Sequence, residues 1–125
     1  MAKILVIDDD ASVRSVVSRI LQEAGYETET ATNGLEGIEA MSRTRFALVI
    51  CDMLMPVQEG IETIQEIRRA GANIPIIAIS GAFGDEGYTP LDDARAIGAD
   101  LAIAKPFTIE KLLAAVDEAF ERGHA

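Results

Sequence analysis

The chain has 125 residues, 49% of them apolar and 26% charged, enough for one globular domain (1–125) whose core needs no disulfide staple. Its formal net charge of −10 argues against a nucleic-acid surface, which needs clustered Lys and Arg, and suits cations or basic partners instead. The single cysteine, Cys51, the absence of a membrane-length apolar run, and an N-terminus "MAKILVIDD" unlike a signal peptide make the cytoplasm the expected compartment, without membrane attachment.

Hydrophobic periodicity predicts a regular alternation of elements. Lys3–Ile7 is a short β-branched run, too short for a helix. Val13, Val16, Val17, Ile20, Leu21 and Ala24 then recur at helical spacing, with Asp10 or Ser12 to cap the start and Gly25 at the stop. Tyr26–Ala31 alternates and is rich in threonine, as a partly exposed strand would be. Leu35, Ile38 and Met41 mark a second helix after Asn33. Phe46–Cys51 is a third strand, apolar throughout. Ile61, Ile64 and Ile67 mark a third helix, ended by Gly71. Ile74–Ile79 is a fourth strand that tolerates Pro75 near its start. Thr89-Pro90 reads as the cap and first residue of a short helix carrying Leu91, Ala94 and Ile97. Leu101–Ala104 is the fifth strand. Ile109, Leu112, Leu113, Val116 and Phe120 line a last helix that Thr108 can cap. Strands alternating with helices imply right-handed parallel crossovers, and apolar strands imply helices on both faces. The expected architecture is an α/β three-layer sandwich around one five-stranded parallel sheet.

Ligands of open parallel sheets bind beyond the carboxyl ends of the strands. There the first strand ends in Asp8 and Asp9, the third in Asp52, the fourth in Ser80 and the fifth in Lys105-Pro106. Taken singly, each has a plain explanation; Asp-Asp after a strand often caps a helix. Together they place acid, hydroxyl and lysine at four strand ends, ~4.8 Å apart if the strands are neighbours. Carboxylates ~5 Å apart repel by roughly 3 kcal/mol per pair at an effective dielectric of ~20. A hard divalent cation such as Mg²⁺ removes that repulsion. Lys105 and Ser80 supply the cation and the donor needed to hold a phosphoryl group.

The motifs "LVIDDD", "LVICDMLMPVQEG", "AISG" and "AKPF", in this order, make the whole chain resemble the receiver domains of two-component response regulators, including the stand-alone chemotaxis receiver. The resemblance implies a doubly wound, flavodoxin-like (βα)5 fold with strand order 2-1-3-4-5. It implies that Asp52 is the phospho-acceptor, a carboxylate nucleophile charged by a histidine kinase or a histidine phosphotransfer protein. Asp9, Asp52 and the backbone carbonyl of Leu54 would bind Mg²⁺, with Asp8 helping through water. Lys105 would pair with Asp52 or its phosphoryl group, and Ser80 would bond a phosphoryl oxygen. The expected protein is a signalling switch rather than an enzyme, a monomer or weak homodimer. One helix after Phe107 leaves no room for an output domain, so output is expected through a partner protein or a relay.

The chain departs from the family pattern at Ala102, where most receivers carry an aromatic residue, at "QEG" (Gln58, Glu59, Gly60), and in a longer glycine-rich segment, Gly81–Thr89. Without the aromatic ring, that loop is the nearest candidate to transmit the signal, the alternative being a tolerated surface insertion. Leu54 and Ala82 cannot orient a water by hydrogen bonding, so slow loss of the phosphoryl group is expected. Two other functions use similar parts. A haloacid-dehalogenase-like aspartyl-phosphate phosphatase needs an acid two residues after its nucleophile, where this chain has Leu54. A receiver-like binding module that is never phosphorylated would not need the complete set of site residues found here.

Overall fold

A computed structural model describes residues 2–53, 57–70, 73–80 and 98–122, with the backbone alone for 57–61 and 80. Five strands, β1 (Lys3–Ile7), β2 (Glu27–Ala31), β3 (Leu48–Asp52), β4 (Ile76–Ser80) and β5 (Leu101–Ala104), form one parallel sheet in the order β2-β1-β3-β4-β5. Four helices are described: α1 (Ala11–Glu23), α2 (Gly34–Arg43), α3 (Val57–Arg69) and α4 (Ile109–Glu121). This is the doubly wound, flavodoxin-like fold expected from the sequence. The fourth helix expected near Thr89-Pro90 and the loop Gly81–Thr89 lie outside the described residues.

Each central strand feeds two cores, as period-two side chains must. Leu5, Ile7, Val49, Cys51, Ile76 and Ala78 pack with Ala40 of α2 and with Ile64 and Ile67 of α3. Ile4, Val6, Leu48, Ile50, Ile77 and Ile79 pack with Val17 and Leu21 of α1 and with Leu112, Val116 and Ala119 of α4. That double burial is why these strands read as unbroken apolar runs rather than alternating ones. Edge strand β2 alternates because only part of it is covered.

The helix starts follow their caps. Asp10 accepts from Ser12 N–H at the head of α1, Asn33 from Glu36 N–H at α2, and Thr108 from Lys111 N–H at α4. The Glu36 carboxylate accepts Thr32 N–H in turn, at 2.9 Å.

Several apolar positions differ from expectation. Leu35 is 79% exposed, and the packed face of α2 is Gly34, Gly37 and Ala40. The reason is close approach: a methyl at Gly34 would overlap Thr63 Oγ1, and one at Gly37 would overlap Ile7. Small residues let this helix lie against the sheet and α3, and the larger side chains Ile38 and Met41 pack at its margin. Val16 and Ile109 are also more than half exposed, because α1 and α4 turn Val17 and Leu112 inward instead. Strands β2, β3 and β4 start one or two residues later than the apolar runs suggest. Tyr26 packs outside the sheet, its ring stacked on Phe120 at 5.8 Å.

At the amino ends of the strands, Arg68 from the last turn of α3 holds the sheet together. Its Nε donates to Gly98 O (2.8 Å), Nη1 to Ile74 O (2.7 Å) and Nη2 to Asp100 Oδ2 (2.8 Å). The same Asp100 oxygen accepts Ile76 N–H at 2.8 Å. No helix among the described residues is long and apolar enough to cross a membrane.

Candidate functional site

The opposite rim is built by the strand ends. Asp8 continues the line of β1: its N–H bonds Ala31 O at 3.1 Å, so the carboxylate is carried into the interior rather than released to solvent. Asp8 is 1% exposed, whereas Asp9 and Asp10 are exposed. Asp52 is the last residue of β3, the strand between β1 and β4, and is also buried. Lys105 follows β5 and reaches back across the rim. Its Nζ lies 3.2 Å from Asp52 Oδ2 and 3.7 Å from Asp8 Oδ2. The Lys105–Pro106 peptide is cis.

Asp8, Asp9 and Asp52 each offer a carboxylate oxygen, all within 4.8 Å of one another. Three acids face one ammonium. Burial pushes the Asp8 carboxyl up to about 6, and the Asp52 charge beside it pushes the same way; the Asp10 N–H bond and Lys105 oppose the shift. Asp8 Oδ1 accepts Asp10 N–H at 2.8 Å, while the buried Oδ2 has no hydrogen-bond partner. A buried carboxylate oxygen that lacks a hydrogen bond is costly, even with an ammonium 3.7 Å away. A clustered set of hard oxygen donors, one of them without a hydrogen bond, fits Mg²⁺.

Four of the residues singled out from the sequence therefore meet in one small volume: Asp8, Asp9, Asp52 and Lys105. Ser80 stands at the end of β4, in register with Ala104, so its backbone is next to the strand that delivers Lys105. Leu54, whose carbonyl was expected at the metal, lies outside the described residues, as does Ala82. Ala102 is partly buried on β5, against the core that α2 and α3 cover. Cys51 is buried in β3, a packing residue as its position suggested.

Arg14 was not foreseen. Its Nη1 donates to the backbone carbonyl of Asp8 at 2.7 Å. The sequence did carry a signal: a cation stands in the first turn of α1, where helix dipoles favour acids.

A family model described as "Response regulator receiver domain" matches residues 4–117. The chain is 34% identical over 122 residues to the transcriptional regulatory protein CpxR homolog of Haemophilus influenzae, covering 98% of this chain; it spans about half, 52%, of that relative. It is 32% identical over 114 residues to the sporulation initiation phosphotransferase F of Bacillus subtilis, covering 91% of this chain and 90% of that protein. The solved structure of chemotaxis response regulator CheY4 of Vibrio cholerae shares the fold at a TM-score of 0.84 and 35% identity, covering 95% of this chain and 98% of that one.

Proposed function

The chain belongs to the response regulator receiver family, phosphorylatable switches of two-component signalling, and from that premise we propose that Asp52 is its phospho-acceptor, charged from a phosphohistidine with Mg²⁺ at the acidic cluster. The observation that carries this reading is the placement of a buried Asp52 between two further carboxylates and one lysine. An Asp52 carboxylate oxygen attacks phosphorus, the phosphorus–nitrogen bond of the donor breaks, and the donor histidine leaves with the bonding electron pair. The rigid end of β3 holds the nucleophile in place, which is most of what phosphoryl transfer requires. Lys105, 3.2 Å from Asp52, offers a fixed positive charge to the arriving phosphoryl oxygens. Ser80, whose backbone ends the adjacent strand, would supply a hydroxyl donor. Asp8, Asp9 and Asp52, with the Leu54 carbonyl, would hold the Mg²⁺. That ion would neutralise the carboxylates and the incoming phosphoryl group.

The donor is a histidine kinase or a histidine phosphotransfer protein, and the output passes to a partner or onward along a relay. The protein is a switch and not a turnover enzyme: position 54 is leucine where a phosphatase of the haloacid-dehalogenase type needs its general acid. Incubation with acetyl phosphate and Mg²⁺, followed by intact-mass measurement and peptide mapping, tests the assignment. One phosphoryl group on Asp52 is expected, absent in Asp52→Asn. No mass gain would favour the unphosphorylated binding module, and sustained hydrolysis of p-nitrophenyl phosphate would favour the phosphatase.

A further inference from the structure

The start of α1 breaks a local preference. The N-terminal turn of a helix carries partial positive charge and favours acids. α1 has no acid in its first turn and places Arg14 there. The side chain turns back on the strand end, its Nη1 donating to Asp8 O at 2.7 Å in a partly buried bond. Local rules broken in this way tend to mark functional positions.

The bonds of Asp8 show what this one does. Its N–H is held by Ala31 O at 3.1 Å, its Oδ1 by Asp10 N–H at 2.8 Å, and its carbonyl by Arg14 at 2.7 Å. Asp10 is fixed in turn, capping α1 through Ser12 N–H at 2.8 Å and accepting Arg14 N–H on its carbonyl at 3.0 Å. Every polar group of Asp8 except Oδ2 is therefore hydrogen-bonded within the protein, and Oδ2 has only the Lys105 ammonium 3.7 Å away. We infer that Arg14 is a positioning residue for the cation site: by gripping the Asp8 carbonyl it fixes the β1–α1 turn so that Asp8 Oδ2 stays beside Asp52 and Lys105. This rests on the Mg²⁺ reading proposed above.

Charge and position predict opposite signs. If Arg14 acted only as a nearby positive charge, it would compete with the cation, and its removal would tighten Mg²⁺ binding. If it positions the carboxylate, its removal weakens binding; partners that orient metal ligands are worth roughly tenfold or more in affinity. The test is calorimetric titration with MgCl₂ at fixed ionic strength, with hydrogen exchange of the Asp10 amide followed without metal. Arg14→Ala is expected to bind about tenfold more weakly and to exchange the Asp10 amide faster. Arg14→Lys, which keeps one donor and the charge, is expected to recover most of the affinity. Arg14→Gln, neutral and shorter, is expected to bind more weakly than wild type, and it carries the same test if the alanine variant does not fold. Mg²⁺ binding as tight as wild type or tighter in Arg14→Ala, or in Arg14→Gln, would overturn the inference and leave the metal reading intact. Failure of the wild-type protein itself to bind Mg²⁺ would overturn both.

Discussion

Two partly buried ion pairs stand at opposite ends of the same sheet. At the amino ends of the strands, Arg68 meets Asp100 at 2.8 Å; at the carboxyl ends, Lys105 meets Asp52 at 3.2 Å. Both join separate elements across the sheet, yet their surroundings differ. The Arg68 guanidinium donates to two backbone carbonyls as well as to Asp100, and Asp100 Oδ2 also takes the Ile76 N–H. Among the described residues that cation is paired with that acid, each with further bonds to the backbone. At the other end, among the described residues, Lys105 pairs with two of three clustered carboxylates, and Asp8 Oδ2 is buried without a hydrogen bond. The first arrangement holds the fold together. The second gathers acids in excess of its ammonium, an arrangement that suits a ligand from outside the chain.

Substitution separates the two ends. The largest contrast is expected from Asp52→Asn, which should abolish phosphoryl uptake from acetyl phosphate without lowering the thermal midpoint. Arg68→Ala should do the reverse. It leaves Asp100 without its guanidinium and two carbonyls unbonded, and should cost roughly 2–4 kcal/mol in urea unfolding. Phosphoryl uptake should persist while that variant is folded. Loss of uptake in folded Arg68→Ala would break the division between the ends.

A smaller effect with a definite pH signature is expected from Asp8. Its folded carboxyl is raised to about 6, above the ordinary value of 3.8, so the folded state holds its proton more tightly than the unfolded state. Its contribution is therefore present below about pH 4 and lost as pH rises through about 6. In metal-free buffer, Asp8→Asn should gain on the order of 2 kcal/mol over wild type at pH 7 and little at pH 4. A variant less stable than wild type at pH 7 would make Asp8 a structural group like Asp100.

The smallest effect concerns the third residue of the acidic run. The Ser12 N–H bond holds the Asp10 carboxyl below its ordinary range, so Asp10 stabilises the fold above the unfolded value and loses that contribution as pH falls. Asp10→Ala should lower the thermal midpoint slightly near neutral pH, opposite in sign to Asp8→Asn. Midpoints that move the same way in both variants would show that the run acts as one patch of charge.

The order of strands and helices was legible because nearly every strand is apolar along its length and ends in a polar residue of definite chemistry. The site was legible for the same reason: Asp8, Asp52, Ser80 and Lys105 each follow an apolar run, and parallel topology puts those ends on one rim. The division of labour within "DDD" was not. Which of three adjacent acids is buried depends on the Asp8 N–H bond to Ala31 in another strand, and no local pattern reports a contact across 23 residues. Burial on α2 was misread because large apolar residues are the usual markers of a packed face. Here the helix approaches so closely that glycine and alanine occupy it. Arg14 was legible only as an exception, a cation where the helix dipole disfavours one.

The most direct test of the contrast between the two ends is to let a cation choose. Mn²⁺, a paramagnetic stand-in for Mg²⁺, broadens the amide resonances nearest to it. The strands between the rims are four or five residues long, about 15 Å at ~3.3 Å per residue. Titration of the folded protein should broaden Asp9, Asp10, Met53 and Lys105 first, and excess Mg²⁺ should restore them. Ile76 and Asp100, at the saturated end, should broaden last. Earliest broadening around Asp100, or uniform broadening over the acidic surface, would contradict the account.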